Sequence, residues 1–147
     1  MKLFTIGYGG RSQADFINLL RSNGVRAVVD VRLRPDKASM GIWVKAKTED
    51  RGIQKILSTA GIEYRSLPEL GNLFLDYPDW RERYEQFLEK AGGLLFSRLS
   101  GLPEPFCLLC AEKKAEDCHR RQIAEYLVRT QGVEVQHLFV GQEYCGV

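Results

Sequence analysis

A chain of 147 residues, 44% of them hydrophobic, has material for one domain with a real core and too little for two. Its formal net charge of +2 permits a polyanionic partner without demanding one, because nucleic-acid binding normally shows itself as a strong local basic stripe. No apolar run approaches the ~18 residues of a membrane span, and the start MKLFTIGYGG is too short and glycine-interrupted for an export signal. The expectation is therefore a soluble, cytoplasmic protein with no membrane partner, whose cysteines are reduced thiols rather than a disulfide framework.

In chain order, LFTI (3–6) predicts a short strand. The turn GYGG follows, and Ser12 with Asp15 three residues on forms a capping box for a helix carrying Phe16, Leu19 and Leu20. Asn23-Gly24 closes that helix and AVVDVR (27–32) is the next strand. Ile53, Ile56, Leu57 and Ala60 mark a second helix ended by Gly61, and IEYRSL (62–67) a third strand running into Pro68. A third helix can be capped by Asp79 and buries Trp80, Tyr84, Phe87 and Leu88; Gly92-Gly93 and an apolar stretch then lead on to the next strand. FCLLC (106–110) is the fourth strand, Ile123, Ala124, Leu127 and Val128 the stripe of a fourth helix, and VEVQHLFV (133–140) the last strand. There is no internal repeat.

Strand and helix alternating at these lengths predict a single α/β domain over 1–147: a mostly parallel five-stranded sheet with helices on both faces. Ligands of such sheets bind beyond the carboxyl ends of the strands. Gly7 to Arg11, Asp30 to Arg32, Pro68 to Gly71, and Cys110 with the loop after it all fall there, so most of the chemically unusual residues share one edge.

The segment CLLCAEKKAEDCHRR (107–121) holds three cysteines, a histidine and two arginines. Cys107 and Cys110 have CxxC spacing, but residues three apart on a strand point to opposite faces, so the two sulfurs cannot easily share a metal. A zinc site would need Cys110, Cys118, His119 and a fourth ligand without the paired spacing of zinc motifs, so neither a metal nor another cofactor is expected. Cys107 reads as a small core residue. On the fourth helix, 100° per residue centres the apolar stripe almost on Arg120. A core-facing arginine in the first turn needs Asp30, a carbonyl or a bound anion. Cys118 falls on the opposite side of that wheel, as an exposed helical residue or as part of the cap, and a redox pair with Cys110 is not favoured. In VVDVR, Asp30 and Arg32 share a face, consistent with a structural ion pair or a functional one. His119 and His137 read as hydrogen-bonded structural residues.

Together TIGYGGRS, VVDVR, YRSLPELG and CLLCAEKKAEDCHRRQIAEYL resemble the family numbered 488 among domains of unknown function, across essentially the whole chain. The resemblance implies a small prokaryotic α/β protein without assigning an activity. On matching positions it points to Tyr8, Ser12, Asp30, Arg32, Glu69, Leu70, Gly71, Cys110, Cys118, His119 and Arg120. The segment RPDKASMGIWVKAK departs from it by lacking a Pro-x-Ser-Arg pattern.

Three function classes follow. An enzyme acting on an anionic group would use Cys110 as nucleophile, with Asp30 and Glu69 as further catalytic candidates. Its ligand would be bound by Tyr8, Arg11, Ser12, Arg32, Cys118, His119 and Arg120. The Cys-x5-Arg loop of cysteine phosphatases is absent, since Glu116 and Ala124 stand where the arginine would be. A rhodanese-like sulfurtransferase is nearer in outline, although the longer connection from Ala111 to Cys118, with solvated Lys113, Lys114, Glu116 and Asp117, does not reproduce its short cradle. A non-enzymatic nucleic-acid module would use Arg32, Arg34, Lys37, Lys45, Lys47 and Arg51 with Trp43 among them as a stacking platform. The same Trp43 would alternatively anchor a homo-oligomer or pin its loop. A scaffold without ligand must explain the crowded edge. The reading these residues favour is an anion-binding α/β domain whose partner is nucleic acid or a phosphorylated small molecule.

Overall fold

The computed structural model describes residues 2–38, 41–112 and 114–138, and of Asp117 only the main chain. The end of the last predicted strand at Phe139 and Val140, Cys145, Lys113 and the side chain of Asp117 lie outside the described residues.

Among the described residues the strands and α-helices follow the predicted alternation: β1 (Lys2–Gly7), α1 (Gln13–Ser22), β2 (Ala27–Asp30), α2 (Gly52–Thr59), β3 (Glu63–Ser66), α3 (Trp80–Phe96), β4 (Phe106–Cys110), α4 (Arg120–Gln131) and β5 (Glu134–Leu138). The strands form one sheet in the order β3-β2-β4-β1-β5, and every pairing is parallel. Period-two alternation sorts their side chains. Leu3, Val29, Leu108 and Cys110 pack with Tyr84 and Leu88 of α3 and Ile123 and Leu127 of α4. Phe4, Ile6, Val28, Cys107 and Leu109 pack on the other face with α1 and α2. Cys107 and Cys110 thus lie in opposite cores, as their spacing requires.

This order sets the site. The chain leaves β1 and β2 toward helices on one face and leaves β4, which lies between them, toward α4 on the other. The connections therefore diverge and open a crevice at the carboxyl ends of β1, β4 and β2.

Three local expectations are corrected. Asp79 makes no side-chain cap; its carboxylate pairs with Arg83 at 2.8 Å. The α3 helix runs through Gly92 and Gly93 to Phe96. A Cβ at Gly92 would come within 2.7 Å of the Tyr126 ring, so this glycine makes room for α4 rather than breaking a helix. Val128, assigned to the buried stripe, is exposed. Trp43 is buried against Tyr8 and Phe16, at centroid distances of 4.8 and 4.9 Å. Its indole pins its own loop and is not an exposed platform for stacked bases.

Candidate functional site

The floor of the crevice is built by the segment after β4. Tyr8 N–H donates to the Cys110 carbonyl (3.2 Å) and Gly9 N–H to that of Ala111 (2.9 Å), so the chain beyond β4 stays zipped to the end of β1. It then crosses directly over Gly7, where a Cβ would lie 1.6 Å from the Glu112 carbonyl oxygen. Only glycine permits that approach. Arg120, 1% exposed, locks the crossing by donating from Nη1 to Glu112 O (2.6 Å) and from Nε to Thr5 Oγ1 (3.3 Å). The buried arginine expected on α4 is therefore present and satisfied by a carbonyl, not by Asp30.

A 3₁₀ turn at Ala115–Asp117 carries the chain back, and Cys118 follows it, buried, ahead of α4. Its sulfur accepts the Arg120 N–H at 3.5 Å, which makes it part of the cap, one of the two places read for it. That position brings Cys110, Cys118 and His119 together: one ligand atom from each lies within 4.8 Å of the others, and all three side chains are buried. His119 Nδ1 is 3.7 Å from Cys118 Sγ, while Nε2 is 2.8 Å from Val31 O. A carbonyl only accepts, so Nε2 carries the proton, and Nδ1 is the nitrogen facing the sulfurs. Tyr84 packs its ring edge on the imidazole at 5.2 Å and donates its hydroxyl to Leu70 O at 2.5 Å, tying the cluster to the Pro-Glu-Leu-Gly turn. Gly71 of that turn lies so close to Leu33 that a Cβ would come within 2.4 Å of its Cα.

The two thiols are driven apart in acidity. The hydrogen bond from Cys118 holds Cys110 well below the usual thiol range in spite of burial, and His119 and the Glu112 main chain act in the same sense. Burial and the neighbouring Cys110 push Cys118 well up. Cys107 is pushed up by burial alone against weak opposition from Arg120 and Arg11.

Beside this cluster stands a second one. Asp30, fully buried, takes two hydrogen bonds from the Arg32 guanidinium (2.8 and 2.6 Å), one from the Arg32 main chain (3.1 Å) and one from Tyr64 (2.5 Å). Arg32 also donates to Trp43 O (2.7 Å) and Tyr8 Oη (3.4 Å). Burial opposes its charge, but the hydrogen bond and charge of Asp30 outweigh that and hold it protonated.

Both clusters border a cavity of about 440 Å³ lined by Cys110, Cys118, His119, Tyr8 and Arg32, with Arg34, Lys37 and Asn72 as polar walls and Leu33 and Leu75 as apolar ones. Other candidates sit elsewhere. Ser12 caps its own helix through Asp15 N–H (3.1 Å), Arg11 donates to Gly7 O and Leu138 O, and Glu69 pairs with Arg98 at the surface. None of these three lines the cavity. Sequence reasoning missed Tyr84, Tyr64 and the Val31 carbonyl, all of which hold a site residue in place. An aromatic on the α3 stripe and another beside the Asp30 strand were the only signals.

Among the described residues no helix is long and apolar enough to cross a membrane. No curated protein and no solved structure matches the chain. The family model described as "Domain of unknown function DUF488" matches residues 12–127, and the chain belongs to that family.

Proposed function

We propose that the protein binds a phosphate-bearing anion, a nucleotide unit of nucleic acid or a phosphorylated metabolite, in the cavity at the carboxyl edge of the sheet. The observation that carries this reading is the charge of the lining. Arg32, Arg34 and Lys37 stand on it against Glu112 as its one acidic member among the described residues. Arg32 is neutralised by Asp30, so the attraction comes from Arg34 and Lys37. The Arg34 pair with Asp36 is exposed and 3.4 Å long, and such pairs hold a cation only weakly. Leu33 and Leu75 offer an apolar surface for the rest of the ligand. Arg11, Ser12 and Arg120 are engaged by the protein itself, so the anion is assigned to residues 32–37 of the lining rather than to these three. Titration of chelator-treated protein with inorganic phosphate, followed by amide shifts, tests this. Shifts at Tyr8, Arg32 to Lys37 and Cys110 to Glu112 that disappear in Arg34→Ala/Lys37→Ala support it, and weak scattered shifts along the basic surface overturn it.

A second reading, sulfur transfer by Cys110, is supported by the Cys118 hydrogen bond, which favours the Cys110 thiolate. The Cys110 thiolate attacks the outer sulfur of thiosulfate, forming a persulfide on Cys110 and releasing sulfite with the electron pair of the broken S–S bond. Intact mass after thiosulfate treatment shows a gain of one sulfur if this occurs, and an unchanged mass removes the reading.

A further inference from the structure

We propose that Cys110, Cys118 and His119 form a three-ligand site for zinc(II), with the fourth tetrahedral position facing the cavity. The site stands on geometry that does not depend on anion binding. Zinc bound at 2.3 Å to sulfur and 2.0–2.1 Å to nitrogen places tetrahedral S and N ligands roughly 3.5 Å apart and two S ligands roughly 3.8 Å apart. Cys118 Sγ and His119 Nδ1 already stand at 3.7 Å, and no pair of the three ligand atoms exceeds 4.8 Å. A closure of about 1.0 Å for a sulfur–sulfur pair, or about 1.3 Å for a sulfur–nitrogen pair, is therefore the most needed to bring the widest pair to coordination distance.

The second observation is the orientation of the imidazole. A metal-binding histidine characteristically gives its other ring N–H to a carbonyl or carboxylate, which fixes the tautomer and aims the lone pair. His119 does this with Val31 O at 2.8 Å, leaving Nδ1 toward the two sulfurs, and the Tyr84 ring edge braces the plane. Cys118 is placed by its turn and by the Arg120 N–H, and Cys110 by the end of β4. Each ligand is thus held by an element that does not need the metal.

Ligand type and charge favour zinc over harder cations. Two thiolates and an imidazole form a soft set that magnesium and calcium bind poorly. Two thiolates also balance the ion's charge, which suits a buried position. On binding, each thiol that is still protonated releases its proton to solvent. Two cysteines, one histidine and an exchangeable ligand make the donor set of a catalytic rather than a closed structural zinc site. Paired spacing failed to reveal it because the partner of Cys110 is Cys118 across a loop, while Cys107 points into the opposite core.

The test uses the full chain, stripped with a chelator, kept reduced with a phosphine and titrated with cobalt(II) and then zinc(II), with no phosphate present. One equivalent of cobalt should give tetrahedral ligand-field bands and thiolate charge transfer, both removed by one equivalent of zinc. Cys107→Ala should leave the spectrum unchanged. Cys110→Ser and Cys118→Ser should each lose about half of the charge transfer, and His119→Gln should weaken binding by more than tenfold, since even outer-shell changes cost about 10–100-fold. Should the cysteine variants fail to fold, X-ray absorption on the unaltered zinc-loaded protein reads the ligands directly, with two sulfur scatterers at about 2.3 Å expected. An octahedral cobalt spectrum, scatterers of oxygen and nitrogen only, binding that is not stoichiometric, or full retention in Cys110→Ser and Cys118→Ser would overturn the proposal. Anion binding is read with chelator present and metal binding without anion, so either can fail alone.

Discussion

The two buried polar clusters that flank the cavity are built from similar means and end in opposite states. Around Asp30, every hydrogen bond runs inward: Arg32 clamps both carboxylate oxygens with its guanidinium and adds its main-chain N–H, Tyr64 donates a fourth bond, and Arg32 Nη1 donates to Trp43 and Tyr8. Around Cys110, one half is just as tightly tied, through His119 to Val31 and Cys118 to Arg120, but the two sulfurs and Nδ1 face one another. The first arrangement consumes charge to hold a loop. The second concentrates lone pairs that a thiol chemist or a metal can use. Buried polar residues at a sheet edge are therefore not evidence of chemistry in themselves; the direction in which their donors and acceptors point decides.

The comparison breaks first at Asp30. Asp30→Ala leaves Arg32 buried without its counter-ion and should cost about 3–5 kcal/mol, the penalty of an uncompensated buried charge. Replacing both partners with apolar residues of similar size should recover much of that loss. Urea denaturation of the two variants checks it. A double variant no better than the single one would show that the carboxylate matters through Tyr64 and the loop rather than through Arg32.

Gly7→Ala strikes the Cys110 cluster through the backbone. The added methyl would sit where the Glu112 carbonyl now lies and 3.0 Å from Arg120 Nη1. Overpacking of this kind costs about 1–3 kcal/mol, and it should also shift the Cys110 to Glu112 amides, whereas Gly93→Ala, with open space around it, should do neither. Denaturation curves with amide spectra read both effects.

Smaller still is the effect of Cys118→Ala on its neighbour. The Cys118 hydrogen bond is the first cause of the raised acidity of Cys110, so in metal-free protein alkylation of Cys110 near neutral pH should slow and its pH profile move upward. Cys107, pushed the other way by burial, should stay unreactive in both proteins. Peptide mapping after iodoacetamide measures the two sites in one experiment.

These contrasts follow the line between what local pattern carries and what it does not. The sheet, its helices and the opposite facing of Cys107 and Cys110 were legible because burial repeats with the period of each element, and Arg120 was legible because the α4 stripe leaves it nowhere else to point. The cluster itself was not. Helical periodicity cannot place Cys118, since it sits in the turn before α4, and the fold-back that brings it to Cys110 depends on Glu112 crossing Gly7, a contact over a hundred residues apart in sequence. Trp43 misled for a similar reason. A tryptophan amid lysines and arginines looks exposed until the short turn at Gly41–Trp43 tucks it under Tyr8.

The finest distinction lies in a chain of bonds leading away from the cavity. Arg120 Nε–H donates to Thr5 Oγ1, so the threonine hydroxyl is free to donate to His137 Nδ1, 2.6 Å away. That order requires a neutral imidazole at Nδ1. Burial lowers the His137 value below the ordinary 6.5, and the charges of Arg120 and Arg121 lower it further against weaker pulls from Glu125 and Glu116. Because the folded value is depressed, the unfolded chain takes up the proton first. Stability from this contact is complete above about 6.5, the unfolded value, and is lost as pH falls through the lower folded one. His137→Asn should flatten that part of the stability profile, and Thr5→Val should make the loss shallower, since without the donor to Nδ1 the folded value moves back toward the unfolded one, while lowering stability at neutral pH. Denaturation midpoints between mildly acid and neutral pH measure it; a wild-type profile that rises toward acid would mean that His137 is protonated in the fold and that Thr5 accepts from it instead.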